Sequence, residues 1–284
     1  PVGHPRGLVE PPACFKRLQQ LTGQPLYVVA GKILSPGESL DTNWRIACTT
    51  GYGFLNMVSR VFVDSRHVQD MHRLYMRVTG HQESFEEVAY QGRRTIMLTA
   101  MASELTVLAH ALTRLAEHDR RSRDFTLNNC RTALREVVAC FPVYRTYVNR
   151  HGASEFDRET ITTAIADARR RNPLIEASIF DFLKDILLPT FSAADPVAEE
   201  RVRFAMKVQQ FTAPVLAKGV EDTAFYRYNV LVSANEVGGH PDRLSASVAE
   251  FHEMNSRRLE CWPFELLATS THDTKRGEDA RARL

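Results

Sequence analysis

The chain has 284 residues, 44% of them hydrophobic, enough for one large domain or two small ones with a sizeable core. Its 36 basic and 34 acidic residues nearly cancel, which argues against nucleic acid or an anionic membrane as the main partner. No apolar run reaches the roughly 18 residues of a membrane span, and no export signal is present. Five scattered cysteines without a CxxC or Cys/His cluster argue against zinc and for a reducing cytoplasm.

Pro1–Leu8, PVGHPRGL, is a polar Gly/Pro-rich loop centred on His4. Pro1 stands where a natural start would carry Met, and Leu284 falls inside a helical pattern, so both ends read as cut from a longer chain. A helix is predicted over Pro11–Leu21, with Phe15 and Leu18 inward, closed by Gly23-Gln24-Pro25. Leu26–Leu34, LYVVAGKIL, is a continuous apolar run rich in β-branched residues, the pattern of a parallel strand buried on both faces. Loop, helix, loop and buried strand make a βα unit. Ser35–Glu38 is a turn, and Thr49–Asp64 opens as a Gly-rich loop.

From there the pattern turns helical. Helices are predicted over His67–Gly80, over Ser84–Ala116 as one piece or two, and over Asp124–Cys140. Met97, Met101, Leu105, Leu108, Leu112 and Leu115 recur at steps of three and four and form a core stripe. Ser154 caps the next helix over Asp157, and further helices cover Ile161–Arg171, Ala177–Leu188 and Val202–Gln210. Residues 65–210 thus form an inserted helical subdomain between α/β pieces 1–64 and 211–284. Asn235–Pro241, NEVGGHP, is a Gly-rich turn, and Ser245–Leu259 is a last long helix.

Two stretches are dense in reactive groups. Glu221, Asp222, Phe225, Tyr226, Arg227 and Tyr228 form one. The other is Leu266–Arg276, LLATSTHDTKR, which begins as a short apolar strand and ends in His272, Asp273, Lys275 and Arg276. A buried strand ending in such a cluster fits the C-terminal rim of an α/β barrel. Carboxylates beside aromatic faces suit carbohydrate chemistry. The local pattern leaves helix caps open for both stretches, at Thr274 or Asp273 and at Glu221-Asp222. GxSxG, GxxxxGK[ST] and GxGxxG are absent.

The segments LLATSTHDTKR, AKGVEDTAFYRYN, RRSRDFTLNN, ACFPVYRTYV, KILSPGE and TTGYGFLN closely resemble the maltooligosyltrehalose synthases. These belong to the α-amylase superfamily, glycoside hydrolase family 13. The resemblance spans essentially the whole chain. It implies a helix-rich α/β fold, a partial (β/α)8 TIM barrel of about strands four to seven carrying a large α-helical insertion. It also implies isomerisation of the reducing-end α-1,4 bond of a maltooligosaccharide to α,α-1,1, with no cofactor or metal. The full-length protein would be a cytoplasmic monomer acting on α-1,4-glucan.

Carried over position by position, Asp273 matches the superfamily's transition-state carboxylate and His272 the histidine beside it. Lys218, Glu221, Asp222, Phe225, Tyr226, Lys275 and Arg276 fall in the substrate-lining stretches. His4 follows the nucleophile position. That position, aspartate in a pattern like RIDHPDGL, is Gly3 here, and the acid/base glutamate of VVVEKIL is Gly31. Gly53 replaces an aspartate of TTGYDFLN, and His240 replaces one of NEVGGDP. A retaining mechanism needs a nucleophilic carboxylate and an acid/base carboxylate, and glycine supplies neither. The alternative is therefore an inactive relative that still binds maltooligosaccharide.

Overall fold

The structure, a computed structural model, describes residues 5–190 and 197–284. They fall into two compact units. One runs up to Ala89 and resumes at Glu221, and the other is Tyr90–Val220.

In the first unit, helix α1 (Pro11–Leu21) starts on a proline pair, which suits a first turn whose N–H groups have no helical partner. Its buried Phe15 meets Trp44, ring centroids 5.5 Å apart. Strands β1 (Val29–Ala30) and β2 (Cys48–Thr49) pair in parallel, Val29 opposite Cys48. The run Leu26–Leu34 was expected to be one strand buried on both faces, and this is corrected. Only two of its residues enter a ladder, and Leu26 and Tyr27 lie exposed. A strand exists only where a neighbour accepts its backbone bonds, and among the described residues β2 offers two positions. The expected parallel direction does hold.

Gly51 ends β2 and opens helix α2 (Tyr52–Val61) with φ at +86°. A Cβ there would sit 2.5 Å from the carbonyl oxygen of Leu266 and 2.8 Å from the amide of Ala268. Glycine is required both by the left-handed backbone and by this approach. Leu266–Ala268, expected to be a buried strand, joins no ladder among the described residues, and Leu266 and Leu267 are exposed. Its contact with Gly51 is a steric one rather than a strand pairing.

Helix α3 (Val68–Thr79) closes on Gly80 at φ +73°. The predicted span Ser84–Ala116 resolves into α4 (Phe85–Leu98) and α5 (Ala102–Glu117), bent by 83° at the break. In the second unit, Leu105, Leu108, Leu112 and Leu115 are buried as their spacing predicts. They pack against α6 (Leu127–Ala139) and α9 (Ala198–Leu216). Ser154 and Asp157 make the predicted capping box at α7 (Glu155–Arg171), and the Asp157 carboxylate also accepts the Tyr147 amide at 2.9 Å. Helix α8 (Ala177–Leu187) packs on α7 and α9. Buried Gln209 of α9 holds both backbone groups of Val148. Buried Glu136 accepts from Tyr90, Arg94 and Arg135, so its charge is compensated inside the core.

Back in the first unit, α10 (Val248–Cys261) is capped by Ser247 and Glu250 and packs on α2 through Phe251 and Phe54. A short α11 (Glu278–Arg283) ends the chain. No single helix among the described residues is long and apolar enough to cross a membrane.

Candidate functional site

The two reactive stretches meet within the first unit. Local hydrogen bonds shape the run that carries Asp273. Thr274 Oγ1 donates to the Thr271 carbonyl at 2.8 Å, the Asp273 amide donates to Thr271 Oγ1 at 3.2 Å, and Thr271 Oγ1 donates to the Tyr52 hydroxyl at 3.1 Å. Thr274 therefore closes a turn. The cap left open for Thr274 or Asp273 does not form, because the next helix begins only after Gly277. The cap left open for Glu221-Asp222 is also replaced. Glu221 ends a π-helical turn, Ala217–Glu221, and Ala224–Tyr226 is a single 3-10 turn.

Lys275 is the hub. Its ammonium donates to Asp222 Oδ1 at 2.8 Å and lies 3.6 Å from Glu221 Oε2 and 4.0 Å from Asp273 Oδ1. Its side chain is only 10% exposed. Burial costs the ammonium, but the Asp222 hydrogen bond and the charges of Glu221, Asp222 and Asp273 outweigh that cost and hold its pKa above the usual lysine value. The resulting stability is complete below the pKa of an unfolded lysine and is lost only as pH rises through the higher folded value. Lys275→Met leaves three carboxylates without their shared cation. The variant is expected to lose about 1–2 kcal/mol at neutral pH. Urea denaturation of both proteins at neutral pH checks this, and a variant as stable as the parent would contradict it.

Beside this cluster Tyr226 is 54% exposed, and the Arg276 guanidinium lies 5.2 Å from its ring centroid. His272 is exposed. Phe225, expected among the substrate contacts, is buried instead and stacks on Phe85 at 6.0 Å, so protein occupies its ring. Phe85 also meets the buried Tyr228, ring centroids 5.5 Å apart, and burial pushes the Tyr228 hydroxyl up to about 12. Lys218 is exposed on the π-helical turn. Gly31 is buried directly after β1, followed by Lys32, which pairs with Glu38. Gly3 and His4 lie outside the described residues.

Sequence reasoning missed Glu236. It is 1% exposed and accepts the amides of Lys275 at 2.7 Å, Arg276 at 3.2 Å and Val237 at 2.8 Å. Arg281 lies 3.6 Å away. A carboxylate between Asn235 and Val237, ahead of two glycines, is the signal in the sequence that could have found it.

Carboxylates, an ammonium and a partly open aromatic ring in one place can hold a neutral polyhydroxylated ligand through its hydroxyls and its apolar ring face. Among the described residues, no three His, Cys, Asp or Glu side chains are grouped to hold a metal ion.

No protein-family model matches the chain. Over its whole length it is 31% identical to a curated Mycobacterium tuberculosis (strain H37Rv) protein provisionally named maltooligosyl trehalose synthase. It is similar in structure to maltooligosyltrehalose synthase from Arthrobacter ramosus, with TM-score 0.82 and 31% identity, over 99% of this chain and 34% of that one. A Sulfolobus tokodaii structure, described as a hypothetical maltooligosyl trehalose synthase, gives TM-score 0.74 at 28% identity, over 99% of this chain and 33% of that one. The chain spans about a third (34%) of the length of the curated relatives it matches.

Proposed function

We propose that this chain is a segment of a maltooligosyltrehalose synthase-type protein, whose scaffold serves isomerisation of the reducing-end α-1,4 bond of a maltooligosaccharide to α,α-1,1. The observation that carries this reading is likeness over the full chain in both sequence and structure, 31% identity with TM-score 0.82. The βα segments of the first unit then belong to a partial (β/α)8 barrel, its pieces at residues 1–64 and 211–284, with residues 65–210 as the helical insertion. The protein would be a cytoplasmic monomer.

Within that reading, Asp273 and His272 hold the sugar at the point of cleavage. Glu221, Asp222, Lys275 and Arg276 bind its hydroxyls, and Tyr226 offers its exposed ring. The resemblance alone assigns sugar-binding roles to Lys218 and His4, and Phe225 backs the site from the core. Gly3 and Gly31 occupy the nucleophile and acid/base positions, so the protein binds maltooligosaccharide without turning it over. Calorimetry of maltopentaose with the protein that contains this chain should show saturable binding, while chromatography shows unchanged sugar. Loss of reducing ends without hydrolysis would overturn the inactive reading, and absence of binding would overturn the sugar-binding one.

A further inference from the structure

The first unit also holds a cavity of about 470 Å³, a size typical of small-molecule sites. It lies among the turn after β1, helix α2, the loop at Gly238–His240 and helix α10. Five cationic side chains line it, Lys32, Arg60, Arg243, Arg257 and Arg258, against the carboxylates of Glu38 and Glu265. Those carboxylates are engaged, Glu38 with Lys32 and Glu265 with Arg258 at 2.6 Å and with Thr49 at 2.6 Å. The guanidiniums of Arg243 and Arg257 have no hydrogen-bond or ion-pair partner among the described residues. Arg60 donates one nitrogen to the Ser245 carbonyl at 2.8 Å, but its Nε is buried without a partner. A buried orphan donor beside two solvent-exposed guanidiniums that have no carboxylate partner among the described residues gives the cavity a surplus of positive charge.

The rest of the lining mixes polar side chains such as Ser35, Thr42 and Asn56 with Met57, Met254 and the Trp262 ring, which are available to a ring-shaped body bearing hydroxyls. Gly53 and His240 both line the cavity. Space around Gly53 is open: a Cβ there would meet nothing within 4 Å.

We infer that this cavity is a binding site for a small phosphate ester of about monosaccharide size. The phosphate takes the guanidiniums of Arg60, Arg243 and Arg257, whose planar forks match its oxygens, and the organic body lies on the Trp262 side. This site is separate from the Lys275 cluster and does not depend on the sugar-isomerase reading.

Calorimetry with glucose 6-phosphate, glucose and inorganic phosphate on the protein containing this chain tests it. Glucose 6-phosphate should bind saturably, more tightly than either of the others, and weaken as salt rises. R243A and R257A should each lower its affinity about tenfold or more, since each removes a charge-assisted contact. G53D, which adds a carboxylate in open space in the first turn of α2, should weaken it as much while preserving the fold. Equal affinity for glucose and its phosphate, no saturable binding of the phosphate ester, or indifference to all three substitutions would overturn the proposal.

Discussion

On the proposed reading, returning both carboxylates, Gly3→Asp together with Gly31→Glu, is expected to give isomerisation of maltooligosaccharides where the parent gives none. The gain should be at least about ten-thousand-fold over the parent, the order seen when members of a catalytic set are removed. Either single change should recover little. A retaining mechanism has no use for a nucleophile without a proton donor, or for the donor without a nucleophile, so the two effects are strongly non-additive. Gly31 directly follows β1, on a segment already held by the buried Lys32–Glu38 pair, so a side chain there starts from an anchored backbone. The measurement is loss of reducing ends from maltopentaose with conservation of total glucose units, in the protein that contains this chain. Far-UV circular dichroism of each variant separates a folding failure from a chemical one. A folded double variant no faster than its parent would refute the roles proposed for these two positions.

Replacing Glu236 is expected to carry the largest stability penalty of the predictions made for this chain. Its carboxylate collects three backbone amides, two of them from the residues that follow Asp273 and Thr274. Glu236→Ala leaves one buried and two part-buried amides without this acceptor and removes the charge facing Arg281. The expected cost is about 3–5 kcal/mol, the range for breaking a buried charged network. That corresponds to a fall in Tm of roughly 10 °C for a chain of this size. Glu236→Gln keeps one oxygen as acceptor and should cost about half as much. The same loss should loosen the Lys275 cluster, so E236Q is expected to weaken maltopentaose binding while the protein stays folded. Urea denaturation reads the first effect and calorimetry the second. An alanine variant within about 1 kcal/mol of the parent would refute the role given to Glu236.

What the sequence determined by itself is local. Helix α1 follows from its opening proline pair, and its observed limits are those predicted, Pro11–Leu21. Helix α7 follows from Ser154 and Asp157, which satisfy each other's backbone amides within one turn. The leucine stripe of α5 reached the core as its spacing required. In each case the hydrogen bonds that close the element, or the face that must be buried, lie within one short segment.

What only the tertiary structure decided depends on partners far away in the chain. Leu26–Leu34 had the composition of a long strand, but its ladder extends only as far as β2 answers it, and Leu266–Ala268 found no ladder at all. The two reactive stretches were each legible, but their joining through Lys275 was not. A 2.8 Å contact between residues 53 positions apart is a property of the packed chain. Glu236, read in sequence as part of a turn, became the anchor of the site for the same reason. Periodicity and capping are written over a few residues, whereas strand pairing and ion-pair networks are closed by whichever distant segment the fold brings to them.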